Sequence, residues 1–132
     1  MKSYYLKILS LFLFVFIFII TKTNAQNDSV YVLVDELAEP NEGWEGFYVY
    51  LQQNLKYPPK ARADEIHGKV VLRFVIEKEG TISQIEVIKS VNRELDQEAI
   101  RVLSQSPPWK PGKIKGQIVR TQMTLPIVFK LG

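Results

Sequence analysis

Cysteine is absent and histidine occurs once, at position 67. Without cysteine there is no disulfide framework, no thiolate nucleophile and no thiolate metal site, so the fold must rest on its apolar core. A lone His67, placed before Gly68 at a turn, lacks the orienting carboxylate and nucleophile that general-base catalysis needs. Asp64 and Glu65, its neighbours in sequence, suit a solvated helix end. The seven glycines are scattered and form no phosphate loop. No catalytic residue, cofactor site or metal site is expected, and the chain reads as a non-enzyme.

Long apolar runs are also scarce, with one exception. Lys2 and Lys7 precede a thirteen-residue run, Ile8 to Ile20, followed by Thr23-Asn24-Ala25 before Gln26. A basic start, a short apolar stretch and small exit residues form the pattern of a secretory signal. Spanning a bilayer takes roughly 20 apolar residues, so a cleaved signal is expected over 1–25, with an uncleaved signal anchor as the alternative. Either way the rest of the chain is expected to be exported. A polar tether with a short strand at Val30 to Val34 then covers 26–43, and one domain covers 44–132.

Net charge largely disappears with that segment. The chain has 17 basic and 14 acidic residues, and Lys2, Lys7 and Lys22 belong to the first 25, which leaves 14 of each. A balanced chain lacks the basic footprint of nucleic-acid binding. The remaining charge is unevenly spread. Asp28 to Glu45 contains six acids and no bases, whereas Lys110 to Lys130 contains five bases and no acids. Lys110, Lys113 and Lys115 beside Trp109 form a basic loop, either a simple solvated turn or a steering patch for an acidic partner.

The periodicity supports an α+β fold. Trp44, Phe47, Tyr48, Leu51 and Leu55 share a helical face. Tyr57-Pro58-Pro59 ends that helix, and Pro59 starts a short one to about Glu65. Val70, Leu72, Phe74 and Ile76 alternate as a strand, and Glu79-Gly80 turns into a second from about Ile82 to Ser90. Asn92 caps a helix bearing Leu95, Ala99 and Val102. Odd positions Val119 to Leu131 are apolar or Thr, and even positions Arg120, Gln122, Thr124, Pro126 and Lys130 are largely polar, a long strand with one buried face. Helix, strand, strand, helix, strand predicts a small antiparallel three-stranded sheet with helices packed on one face. The last strand should lie antiparallel beside the first.

Proline has no amide to give a ladder, so Pro126 marks that last strand as a sheet edge. Open edges accept extended segments from other chains. The candidate partner-binding edge is therefore Ile118, Arg120, Gln122, Thr124, Pro126 and Val128. The same edge, paired with its twin, gives the competing expectation of a homodimer.

Six short motifs in order resemble the C-terminal domain of the TonB family. They are Tyr57-Pro58-x-x-Ala61, Gly68-Lys69-Val70, Phe74-x-Ile76-x-x-x-Gly80, Leu95-Asp96-x-x-Ala99, Trp109-x-Pro111-Gly112 and Pro126-x-x-Phe129. The similarity runs from about Tyr57 to Leu131 and more weakly back to Val30. The resemblance implies a periplasmic module that binds the TonB box of outer-membrane TonB-dependent transporters by strand addition alongside its last strand. It also implies an ExbB-ExbD proton-motor partner for anchored members, whose anchor usually pairs a Ser with a His; here Ser10 is present and the histidine is not. Tyr57, Pro58, Ala61, Gly68, Phe74, Gly80, Leu95, Asp96, Ala99, Trp109, Pro111, Gly112 and Phe129 are expected to be structural, Trp109 as a core plug, Tyr57 as a fixed turn and Asp96 at a helix start.

Overall fold

A computed structural model describes residues 28–132. The signal or anchor segment expected over 1–25 lies outside these residues. The elements are β1 (Val30–Tyr31), β2 (Glu39–Pro40), α1 (Gly43–Asn54), α2 (Pro59–Ala63), β3 (Gly68–Ile76), β4 (Ile82–Lys89), α3 (Arg93–Ser104), β5 (Trp109–Lys110), β6 (Lys113–Ile114), β7 (Gln117–Ile118) and β8 (Arg120–Phe129). The class is α+β, as the periodicity implies. Among the described residues, no helix is long and apolar enough to cross a membrane.

The main sheet has order β1-β8-β3-β4. It therefore has four strands, not three. β3 pairs antiparallel with β8 through nine unbroken residue pairs, from Gly68↔Phe129 to Ile76↔Thr121. The expected hairpin joins β3 to β4, with register shifts at Val71/Leu72 and Arg73/Val75. The added strand is β1, which pairs parallel with the start of β8, Val30 with Arg120 and Tyr31 with Thr121. It forms at the start of the short strand expected over Val30 to Val34, where the edge of β8 supplies its partner.

Alternation along β8 places Thr121, Leu125, Ile127 and Phe129 in the core, with Thr124, Pro126 and Val128 exposed. Leu72, Phe74 and Ile76 of β3 join them, and Leu95, Ala99, Val102 and Leu103 of α3 close the layer. Asn92 caps α3 as its residue type suggests, its side-chain oxygen accepting from the Leu95 amide at 2.9 Å.

Trp109 anchors several elements. Its ring meets Trp44 at 5.6 Å, Phe47 at 5.3 Å and Phe74 at 5.6 Å, all edge-on. These contacts tie α1 and β3 to the stretch after α3, at separations favourable for aromatic pairs. The preceding turn fits Trp109 closely. Gly80 has φ +89°, and a Cβ there would lie 2.3 Å from the Trp109 carbonyl oxygen. Only glycine satisfies both demands.

Candidate functional site

Pro126 sits opposite Val71 inside an unbroken antiparallel ladder. Having no N–H, it must occupy a pair whose backbone groups point away from β3. The alternation then directs the N–H and C=O of Gln122, Thr124 and Val128 the same way, to the outer side of β8. Among the described residues, β1 covers only Arg120 and Thr121 of that side. From Gln122 onward the strand is free of bulges and has no outer partner strand among the described residues.

The opposite edge of the sheet is different. β4 carries the register shifts, and Gln84 within it has φ +50°. Glu86 and Lys89 also charge that strand. Bulges and charges discourage strand addition, and the outer side of β8 has no register shift.

The residues expected along the edge divide into two groups. Gln122, Thr124, Pro126 and Val128 lie on β8 beyond β1. Ile118 does not: β8 begins at Arg120, and Ile118 belongs to the two-residue hairpin β6–β7, opposite Lys113. The alternating pattern runs smoothly through Ile118, but the Val119 amide bonds the Gly112 carbonyl at 3.0 Å and breaks the strand there. Arg120 is committed inside the domain. Its Nε donates to Glu77 Oε2 at 2.7 Å, its Nη2 to Glu77 Oε1 at 3.0 Å and its Nη1 to the Asp28 carbonyl at 2.6 Å. The Arg120 hydrogen bonds, with help from the Ser83 hydroxyl, hold the Glu77 carboxyl below its ordinary range.

The basic loop is not a free steering patch. Lys110 lies 3.9 Å from Glu39 and Lys113 lies 3.7 Å from Glu36. The Lys115 amide donates to Asp35 Oδ2 at 2.6 Å. Glu36 and Glu39 of the N-terminal stretch thus lie beside Lys113 and Lys110, a long-range pairing that linear charge counts do not display.

The remaining motif residues build the scaffold behind the edge. The Tyr57 ring packs edge-on to Phe129 at 5.7 Å, and its hydroxyl donates to the Ile66 carbonyl. Pro58 is the N-cap of α2, and Ala61 is buried within it. Asp96 accepts from the Val91 amide at 3.1 Å and from the Ser90 hydroxyl. The Gly112 amide donates to Thr121 Oγ1 at 2.9 Å, just after Pro111, and a Cβ on it would meet that oxygen at 2.8 Å. The edge is therefore held from behind by Gly68 and Phe74 of β3, by Leu95 and Ala99 of α3, and by this loop.

Periodicity does not reveal how α1 is fastened. Glu98 Oε2 accepts from the Lys56 amide at 2.8 Å, and Arg101 Nη2 donates to the Asn54 carbonyl at 2.8 Å. Glu98 is only 8% exposed. Burial pushes its carboxyl up, but bonds from Arg101 and the Lys56 amide outweigh this and leave it below its ordinary range. Tyr50 donates to the Val102 carbonyl at 2.8 Å, closing the same seam.

The segment 53–131, which contains the edge and its whole scaffold, matches the family model for the Gram-negative bacterial TonB protein C-terminal. The chain belongs to this TonB C-terminal family. Two NMR solution structures of Helicobacter pylori TonB-CTD are similar in fold. One is 24% identical, with 64% of this chain and 77% of that one covered and a TM-score of 0.50. The other is 21% identical, with coverage of 65% and 90% and a TM-score of 0.51. No curated protein matches the chain. The matched segment runs from the last residues of α1 through β8, whereas β1, β2 and most of α1 precede it.

Proposed function

We propose that this protein is a non-enzymatic periplasmic module that takes part in TonB-dependent transport by binding the TonB box of outer-membrane transporters. The box adds as a strand outside β8, from Gln122 to Val128. One observation carries this reading: the outward backbone groups of that stretch have no partner strand among the described residues, on an unbulged edge with Pro126 at its centre. Main-chain hydrogen bonds supply the affinity, and side chains on either side supply the choice of sequence. Ile118 and Arg120 fall outside the docking stretch, the first in a hairpin and the second in its pair with Glu77.

The test is titration of the purified protein with TonB-box peptides from transporters of the same cell, followed by amide NMR. Shifts and exchange protection concentrated at Gln122, Thr124 and Val128 are expected. A folded protein that binds no box peptide at millimolar concentration would overturn the proposal. A protein already dimeric by light scattering, with these same amides protected before any peptide is added, would assign the edge to a second copy instead.

A further inference from the structure

Val30-Tyr31-Val32-Leu33-Val34 is a run of β-branched, aromatic and aliphatic residues, a composition that favours a strand throughout. Only its first two residues lie in the sheet. After Tyr31 the chain bends away from β8, leaving Val32 63% and Leu33 88% exposed. The bend is held by the residues that follow it. The Asp35 and Glu36 amides donate to the Lys113 carbonyl at 2.8 and 3.1 Å, and the Lys113 amide donates to the Glu36 carbonyl at 3.0 Å. The Asp35 carboxylate accepts from the Lys115 amide, and Glu36 lies 3.7 Å from the Lys113 ammonium. Gly112 makes room for this path: a Cβ there would lie 3.0 Å from the Glu36 carbonyl oxygen and 3.1 Å from Val34 Cγ2.

The register of β1 defines a second path for the same residues. Val30 lies beside Arg120 and Tyr31 beside Thr121, in parallel. Continued without a break, that register sets Val32 beside Gln122, Leu33 beside Met123 and Val34 beside Thr124. Paired residues share a sheet face, so Leu33 would cover Met123, which is half-buried at the margin of the core. The Leu33 amide would donate to the Gln122 carbonyl, and the Thr124 amide to the Leu33 carbonyl. We infer that Val32 to Val34 form a strap that lengthens β1 along β8 and closes the docking edge, and that the Asp35–Glu36 anchor on Lys113 and Lys115 holds this strap open. The inference rests on the strand-addition reading above and adds its control by the chain itself. Strap and partner compete for the same backbone groups, so whatever loosens the anchor shifts the balance against the partner. The strap and the two acids that hold it precede the matched segment 53–131.

Because the chain has no cysteine, an introduced pair reports closure cleanly. In the full-length protein, Leu33→Cys with Met123→Cys should oxidise to an intramolecular disulfide about tenfold faster than Leu33→Cys with Thr124→Cys, whose side chains face opposite sides of the sheet. The disulfide form should bind a TonB-box peptide about tenfold more weakly, and reduction should restore binding. Without any cysteine, an Asp35→Asn, Glu36→Gln double variant should slow amide exchange at Leu33 and Thr124 and weaken the same peptide. Equal oxidation rates for the two pairs, exchange at Leu33 and Thr124 unchanged by the double variant, or full peptide binding by the disulfide form would each overturn the strap. If the strap closes by both measures but the reduced protein binds no box peptide, the strand-addition reading is overturned instead.

Discussion

Glu98 illustrates how a single buried carboxylate can hold two elements together. It serves Lys56 and Arg101, and with Tyr50 it is the polar seam between α1 and α3. Glu98→Gln keeps the shape but removes the charge from hydrogen bonds of the stronger, charge-assisted kind. The expected loss is roughly 1–3 kcal/mol in urea unfolding at neutral pH. Its pH dependence has a definite sign. The folded pKa is depressed, so its contribution is present above the unfolded value of about 4.3 and is lost as pH falls through the folded pKa. Glu77 behaves likewise. Stability of the native protein should therefore fall more steeply than that of Glu98→Gln as pH drops below about 5; parallel acid titrations of the two would sink this account.

Two glycines of similar backbone conformation provide a second comparison at this scale. Gly80 has φ +89° with the Trp109 carbonyl oxygen 2.3 Å from a built Cβ, while Gly116 has φ +76° with nothing within 4 Å. Gly116→Ala should cost only the left-handed backbone penalty, about 1 kcal/mol. Gly80→Ala adds a backbone collision and should cost at least twice as much. Equal unfolding midpoints for the two variants would refute the close-approach argument.

At the level of elements, β5 has only two residues but carries the core plug. Truncation of Trp109 to Leu should cost about 3 kcal/mol and flatten the near-ultraviolet signal of the aromatic cluster, since Trp44, Phe47 and Phe74 lose their common neighbour. An unchanged near-ultraviolet spectrum would contradict this. The long elements were legible because burial imposes a period on them. α1, α3, β3 and β8 each run eight residues or more with one wet face, and their predicted limits differ from the observed ones by a few residues at most. The short ones mostly were not. β5, β6 and β7 have two residues each, too few to express any period, and β1 is the first two residues of the longer strand expected over Val30 to Val34. The same limit explains Ile118, whose place in the alternation is correct and whose strand is not. Of the candidate edge, Pro126 was the decisive residue, because a missing amide can be read directly from the chain.

The molecule as a whole is more closed on itself than its charge pattern suggests. The acidic stretch before α1 lies across the basic loop, and β1 occupies the first two residues of the very edge that is open beyond Gln122. Arg120 fastens this arrangement at Asp28 and Glu77. Replacing it by Ala should speed amide exchange at Val30 and Tyr31 while leaving the β3–β8 core amides slow. Uniform acceleration across the sheet would show instead that β1 is part of one cooperative unit with the core.

The parallel direction of β1 also has a mechanical side. Asp28, the first described residue, lies at the Arg120 end of β8, and an added strand would grip the same edge further along. If the chain were held both ahead of Asp28 and by such a strand, tension would run down one margin of the sheet and bypass the helical layer. The weakest link on that path is the two-pair β1 ladder with its Arg120 clasp. It would peel away before the nine-pair β3–β8 ladder is strained, a sacrificial joint that lengthens the chain while the gripping surface stays folded.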